Sequence, residues 1–428
     1  MEKMPFFFNA HAHCFTIEHV PNNFTKGLTW FSGLLTIRWI KKHKIIRWLI
    51  YTLNRPTIKS ILKFFSPSLV QALPRLLTFA EFYDITTQKA MIDELRSYYP
   101  MSTKFVLLTM DMEFMAAGQP FKKLESQLNE IAALKASPAY KNVIYPFVFA
   151  DPRRADVTRV VTERLEDKEA PFQGIKIYPA LGYYPFDERL KDIYLYAVEH
   201  NTPITTHCIK GSVYYRGKKT DDPTYMVHPY THKPLPFEKP VDFSASFTHP
   251  YNYECLLNPA LLHTIWNDAG DIDLSRLKIC LGHFGGEDEW LKYMEQSWLP
   301  DRDFINGSTG SLDVMKNIWY DEEATYDSPG KKAYSWFSVI CDMIRTGRYP
   351  NLYADISYTL CEVKILPLLK ILLETDEAVA DKVLFGTDFY VVSKAGADRE
   401  MSLYVRGYLG EALFKKIAYD NPKKFLNL

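Results

Sequence analysis

The feature that most constrains the fold is a regular alternation of short apolar runs with segments of helical period. The runs are rich in β-branched and aromatic residues and apolar almost throughout, which is typical of parallel strands buried on both faces. They lie at residues 6–14, 104–111, 143–150, 174–178, 203–208, 278–283, 352–357 and 382–387. Strands that alternate with helices indicate βαβ units, and eight such units close into a barrel. We therefore predict an α/β fold, a (β/α)8 TIM barrel, with residues 1–428 forming one domain.

Three segments exceed what a minimal barrel needs. After strand 1, at about residues 19–100, comes a basic, aromatic-rich insertion, and its residues 19–80 contain no Asp or Glu. Its apolar spacing suits amphipathic helices, so we expect it to pack on the barrel or on a partner subunit. Contact with anionic lipid and a basic funnel for an anionic substrate are the alternatives. The long loops after strands 5 and 6, at 209–259 and 285–348, are expected to form walls or a lid over the active-site face.

Composition removes several classes of function. Lys and Arg number 51, as do Asp and Glu, so there is no global attraction to nucleic acid or acidic membranes. The six cysteines are scattered without a C-x-x-C motif, which indicates free thiols in a reducing compartment. The residues before the first strand lack the pattern of a signal peptide, and no uncharged stretch approaches the ~18 residues of a spanning helix. We expect a cytoplasmic protein with no nucleic-acid partner, and we favour packing over membrane contact for the basic insertion.

Residues that can bind metal recur at the predicted strand ends. His11 and His13 are two residues apart, so on a strand they face the same side, where two imidazoles can chelate a divalent cation. The fourth, fifth, sixth and eighth strands end near Lys176, His207, His283 and Asp388. Each alone has a structural explanation, as a core histidine, a turn residue, an ion-pair partner or a helix cap. A barrel, however, brings its strand ends into one ring, so the set indicates a metal site.

Taken in order, these residues resemble the amidohydrolase superfamily. The resemblance is to its amidohydrolase-related branch, which includes aminocarboxymuconate-semialdehyde decarboxylase and several hydrolases. The motifs that carry it are His11-Ala12-His13, Gly174-Ile175-Lys176, Pro203 to His207, Gly282-His283-Phe284-Gly285-Gly286, Leu384 to Asp388 and Asn421 to Phe425. It covers most of the chain, and the segments 19–100, 209–259 and 287–345 lie outside the pattern.

The resemblance implies a role for each residue of the set. His11, His13, His207 and Asp388 would hold a divalent ion, commonly zinc. In two-metal members a carbamylated lysine on the fourth strand bridges the ions, and the sixth-strand histidine binds the second. Lys176 and His283 match those positions, so the resemblance allows either one or two metal ions per chain. We favour one ion, because the sequence around His283 and Asp388 resembles the amidohydrolase-related branch.

The implied chemistry is hydrolysis of an amide, lactone or other carboxyl-derived small molecule by a metal-activated water. Asp388 would take the proton of the water and return it to the leaving group. His283 would position the nucleophile or stabilise the developing oxyanion. Non-oxidative decarboxylation on the same scaffold is one alternative, and a non-catalytic barrel that docks on a membrane or partner is another. We expect a homo-oligomer.

Aromatic and basic residues follow strands 3, 4 and 5, where a substrate pocket is expected. An aromatic surface with a cation suits a planar carboxylated molecule, and packing or solvated loops are the alternative. The residues are Arg153, Arg154, Tyr178, Tyr183, Tyr184, Lys210, Tyr214, Tyr215 and Arg216.

Overall fold

The computed structural model describes most of the barrel and little of the basic insertion. The described residues are 4–24, 52, 85–211, 213–218, 227–230, 232, 234, 241–267, 270–296, 335–389 and 397–428. The predicted helices of residues 19–80 therefore lie almost entirely outside the described residues.

Eight strands form one sheet in chain order. They are β1 (Phe8–His13), β2 (Lys104–Leu108), β3 (Ile144–Phe149), β4 (Gly174–Lys176), β5 (Ile204–Ile209), β6 (Ile279–Gly285), β7 (Leu352–Asp355) and β8 (Val383–Leu384). The strand pairs are parallel. All strand residues except Lys104 are buried, as expected for parallel strands covered on both faces. The prediction of a (β/α)8 barrel is confirmed.

Helices follow the strands and carry the connections. They are α1 (Gln88–Ser97), α2 (Leu124–Ala136), α3 (Val157–Leu165), α4 (Lys191–Glu199), α5 (Val241–Thr248), α6 (Pro250–Leu257), α7 (Pro259–Ile265), α8 (Glu287–Gln296), α9 (Trp336–Arg345), α10 (Leu366–Thr375), α11 (Glu377–Ala380), α12 (Ala397–Lys415) and α13 (Asn421–Leu426). The long segment after β5 is thus partly helical, since it contains α5 and α6. Helix α12 contains a break at Gly410, where φ is 77°.

Local sequence explains where several helices begin. The hydroxyl of Thr87 accepts the N–H of Ala90 at the start of α1, and Ser335 accepts the N–H of Ser338 at the start of α9. Such caps satisfy backbone donors that a helix leaves open and stabilise it by about 1 kcal/mol each.

The chain divides into two compact units. The first comprises residues 1–149, 159–176 and 385–419 and holds β1 to β4. The second comprises residues 150–158, 177–384 and 420–428 and holds β5 to β8.

Each unit has its own aromatic core. In the first unit, the Phe7 ring packs on Phe385 and Phe414 at centroid distances of 6.2 and 5.4 Å. In the second, Trp290 packs against Phe284 and Phe337 at 5.2 and 4.2 Å. Burying one such side chain fully stabilises a fold by roughly 1.5–3 kcal/mol.

Two expectations from composition can be checked in part. The six cysteines are free thiols, five of them buried, as predicted. Among the described residues, no helix combines the length and apolar character needed to cross a membrane.

Candidate metal centre

The first half of the candidate site lies at the carboxyl end of β1. His11 and His13 are 0% and 3% exposed, and their ring centroids are 5.4 Å apart. The pairing of β1 with β2 shifts register between Asn9 and Ala12, so β1 is irregular where it presents these histidines.

Asp388 lies four residues beyond β8, in a segment that returns to β1. Its backbone N–H donates to the carbonyl of His11 at 2.9 Å, and the N–H of His13 donates to the carbonyl of Phe389 at 2.6 Å. These bonds place Oδ1 of Asp388 3.5 Å from Nε2 of His11 and 3.1 Å from Nε2 of His13. The structure therefore brings three of the predicted ligands together in one buried cluster.

Backbone conformation around Asp388 is specialised for this approach. Asp388 has φ 59°, in the left-handed region that Asp and Asn tolerate better than most residues. A Cβ atom on Gly386 would lie 2.6 Å from Cβ of His11, a distance that real Cβ contacts do not show. Glycine at 386 thus permits the segment after β8 to lie against β1.

The protonation of His13 suits a metal ligand. Nδ1 of His13 lies 2.9 Å from the carbonyl oxygen of Leu108, which can only accept, so Nδ1 carries the hydrogen. Burial lowers the pKa of His13 and outweighs the opposing effect of Asp388, so the ring is neutral and its Nε2 is an acceptor.

Two acceptors therefore face each other across the 3.1 Å between His13 and Asp388. A cation satisfies both at once, and imidazole nitrogen with carboxylate oxygen is a donor set that zinc and related divalent ions take. The residues present fit a divalent metal ion.

Lys176 is the last residue of β4 and belongs to the same unit. Its side chain is fully buried, and its positive charge contributes to the lowered pKa of His13. Lys176 therefore lies within electrostatic range of the candidate ligands.

His207 and His283 belong to the other unit and contact each other. Nε2 of His283 lies 2.9 Å from Nδ1 of His207, and Nε2 of His207 lies 3.1 Å from the hydroxyl of Tyr178. Nδ1 of His283 lies 3.2 Å from the carbonyl of Ser357 and so carries a hydrogen. One set of neutral tautomers then satisfies every contact: Tyr178 donates to His207, and His207 donates to His283.

Residues at the end of β7 and just after it hold His283 in a strained conformation that the sequence did not reveal. His283 has φ 69°, and its N–H donates to Oδ1 of Asp355 at 3.1 Å while its carbonyl accepts the hydroxyl of Thr359 at 2.5 Å. Oδ1 of Asp355 also accepts the N–H of Ser357 at 3.1 Å. Asp355 ends an otherwise apolar strand. The criterion that selected Asp388, a polar residue at a strand end, therefore also identifies Asp355.

Most of the residues predicted to line a substrate pocket form ion pairs or ring contacts with other side chains of the protein. Arg153 pairs with Asp151 at 2.6 Å, and Lys210 pairs with Glu289 at 2.8 Å. The guanidinium carbon of Arg216 lies 3.8 Å from the centroid of the Tyr214 ring. The Tyr178 ring stacks on His207 at a centroid distance of 4.0 Å. Of the aromatic residues, Tyr178 therefore has the most direct contact with a predicted site residue.

Comparisons with known proteins bear on the family. The model of the amidohydrolase family matches residues 320–428. The curated proteins contain no significant match. Similar solved structures include an uncharacterised TIM-barrel protein from Bordetella bronchiseptica, 12% identical over 99% of this chain and 98% of that one, with a TM-score of 0.43.

Two further similar structures are enzymes by name. 5-Carboxyvanillate decarboxylase from Novosphingobium aromaticivorans, solved with manganese and 4-hydroxy-3-methoxy-5-nitrobenzoic acid, is 16% identical over 90% of this chain and 93% of its own, with a TM-score of 0.43. A probable 2-pyrone-4,6-dicarboxylic acid hydrolase from Acinetobacter baumannii is 11% identical over 80% and 89%, with a TM-score of 0.41. The fold assignment rests on the strand order described above and not on these likenesses.

The fold is a (β/α)8 barrel, and its buried imidazole–carboxylate cluster has a donor set that suits a divalent metal ion. The match of the amidohydrolase family model to the C-terminal quarter of the chain supports the predicted resemblance to the amidohydrolase superfamily.

Proposed function

We propose that this protein is a metal-dependent hydrolase that directs an activated water at an amide, lactone or other carboxyl-derived small molecule. The observation that carries the proposal is the buried approach of Asp388 Oδ1 to Nε2 of His11 and of His13, at 3.5 and 3.1 Å. A carboxylate in this position can serve both as a ligand and as a proton acceptor.

In this proposal His11, His13 and Asp388 hold a divalent ion, and His207 completes the set. The family pattern and the clustering of strand ends in a barrel are the basis for adding His207. An ion held by such ligands lowers the pKa of a water molecule to near 7 and polarises a carbonyl group. We expect zinc, and one ion per chain.

Asp388 and His283 have separate tasks in the reaction. Asp388 takes the proton from the attacking water and returns it to the leaving group, as a general base and then a general acid. His283 has its Nδ1–H committed to Ser357, so Nε2 is the acceptor of the neutral ring, and it becomes available to the water when His207, which donates to it in the structure, turns to bind the ion. This arrangement favours the positioning of the water over stabilisation of an oxyanion.

The substrate class follows from the residues around His207. Tyr178 offers an aromatic face, and Lys210, three residues beyond His207, has a side chain that is 45% exposed. We propose that a planar, carboxylated small molecule binds here, with its carboxylate near Lys210.

A panel of amides, lactones and aromatic carboxylates tests the proposal. We expect metal-dependent hydrolysis that disappears after chelation and returns with added zinc. Carbon dioxide release without a hydrolysis product would contradict the proposal and assign the site to non-oxidative decarboxylation. Lack of any divalent ion in the purified protein would favour the non-catalytic alternative.

A further inference from the structure

Asn9 is a buried polar residue that the chemistry above does not use. It is the second residue of β1, and its side chain is fully buried. A carboxamide offers two donors and two acceptor sites, and a buried one is costly unless these are satisfied. The partners of Asn9 therefore show what holds it there.

The oxygen of Asn9 binds the backbone on both sides of the candidate ligands. Oδ1 accepts the N–H of His11 at 3.3 Å and the N–H of Thr387 at 3.2 Å. Backbone N–H groups can only donate, so the carboxamide orientation is fixed by its partners. One side chain thus contacts both the first histidine and the residue before Asp388.

The nitrogen of Asn9 completes the contact and faces a second buried group. Nδ2 donates to Oγ1 of Thr387 at 2.8 Å and to the hydroxyl of Tyr99 at 3.2 Å. The Tyr99 hydroxyl in turn donates to Oδ2 of Asp398 at 2.5 Å, which leaves its oxygen to accept from Asn9. All four hydrogen-bonding positions of Asn9 are filled, and every bond in the network pairs one donor with one acceptor.

We propose that Asn9 is a positioning residue that sets the distance between His11 and Asp388 and so determines the affinity of the site for a divalent ion. The inference rests on the proposed function, because it takes His11 and Asp388 as ligands. Its physical reason is that ligand atoms must be held within about 0.5 Å of a productive geometry, and residues behind the ligands do this.

The test compares two buried asparagines. Asn9→Leu removes all four hydrogen bonds with little change in volume. The matched control is Asn421→Leu, because Asn421 is equally buried and donates to the carbonyls of Ala380 and Val383, neither of which is a predicted ligand. Both variants should lose thermal stability, so stability alone does not distinguish them.

The decisive measurements are the zinc affinity, by competition with a chelator, and the visible spectrum of the cobalt-substituted protein. We expect Asn9→Leu to weaken zinc binding by about 10- to 100-fold and to alter the cobalt bands. Asn421→Leu should leave both unchanged. Wild-type affinity and spectrum in folded Asn9→Leu, or an equal loss in the control, would overturn the inference.

A second pair of variants keeps the test open if Asn9→Leu does not fold. Thr387→Val preserves shape and removes only the hydroxyl that Asn9 contacts, whereas Thr387→Ser retains it. Weak zinc binding in Thr387→Val with recovery in Thr387→Ser supports the inference, and equal binding in both refutes it. Absence of zinc binding by the wild-type protein would instead contradict the proposed function itself.

Discussion

Replacing Asp388 with asparagine separates its two proposed tasks. The change is nearly isosteric, and the φ of 59° at this position is one that asparagine adopts readily. Asp388→Ala would add strain of roughly 1–2 kcal/mol, because alanine lacks that tolerance. Asp388→Asn should therefore keep the fold and change only the chemistry of the side chain.

The expected magnitude follows from what the amide cannot do. An amide oxygen still faces Nε2 of His11 and His13, so saturating metal should restore occupancy. The amide cannot accept a proton near neutral pH, and general acid–base catalysis typically contributes a factor of about 10² to 10⁴. This corresponds to roughly 2.7–5.5 kcal/mol in the activation barrier.

The assay is turnover of the best substrate from the hydrolysis panel, measured against metal concentration, with bound metal determined in parallel. Asp187→Asn is the control, because that carboxylate caps a short turn and pairs with Arg189. We expect a rate defect of about 10² to 10⁴ that persists at full metal occupancy. Near wild-type turnover at saturating metal would show that Asp388 is a ligand only.

Three further predictions concern other residues. Replacing His11 and His13 together with alanine should remove most of the bound metal in elemental analysis, and wild-type metal content would contradict their role as ligands. Lys176 should give no carbamate carbon signal in a ¹³C NMR spectrum recorded with labelled bicarbonate, whereas such a signal would establish a two-metal site. Burial raises the pKa of Glu254 from 4.5 to about 7. The stability that its neutral form contributes is therefore fully present below the pKa of the unfolded state and is lost as pH rises through 7. Glu254→Gln should remove a pH-dependent stability change of roughly 3 kcal/mol between pH ~4.5 and ~7, and an unchanged slope in thermal melts would refute this assignment.

The barrel was predictable because parallel strands buried on both faces leave an unusually plain signal. Runs such as residues 104–111 and 143–150 are apolar throughout, and alternation with helices then fixes the topology. The boundaries were less accurate where polar and turn residues enter. Strand β8 contains only Val383 and Leu384, and the remainder of the predicted run forms the segment that leads to Asp388.

The candidate ligands were predictable from their type and their position at strand ends, but the residues that hold them were not. Asn9 lies in an apolar run, and its sequence context does not indicate that it contacts Thr387, 378 residues away. The left-handed conformations of His283 and Asp388 are likewise invisible, because these side chains occur in many backbone conformations. Such features depend on tertiary contacts and not on local pattern.

The contact between Asn9 and Thr387 has a consequence for biosynthesis. Half of the buried imidazole–carboxylate cluster comes from β1, and the other half comes from residues 385–389, which are made much later because Asn9 and Thr387 are 378 residues apart. Closing so long a loop is entropically costly and slow compared with the formation of local structure. A nascent chain bearing His11 and His13 therefore lacks their carboxylate partner until residues 385–389 have been made, and we expect ion loading to follow the synthesis of that segment.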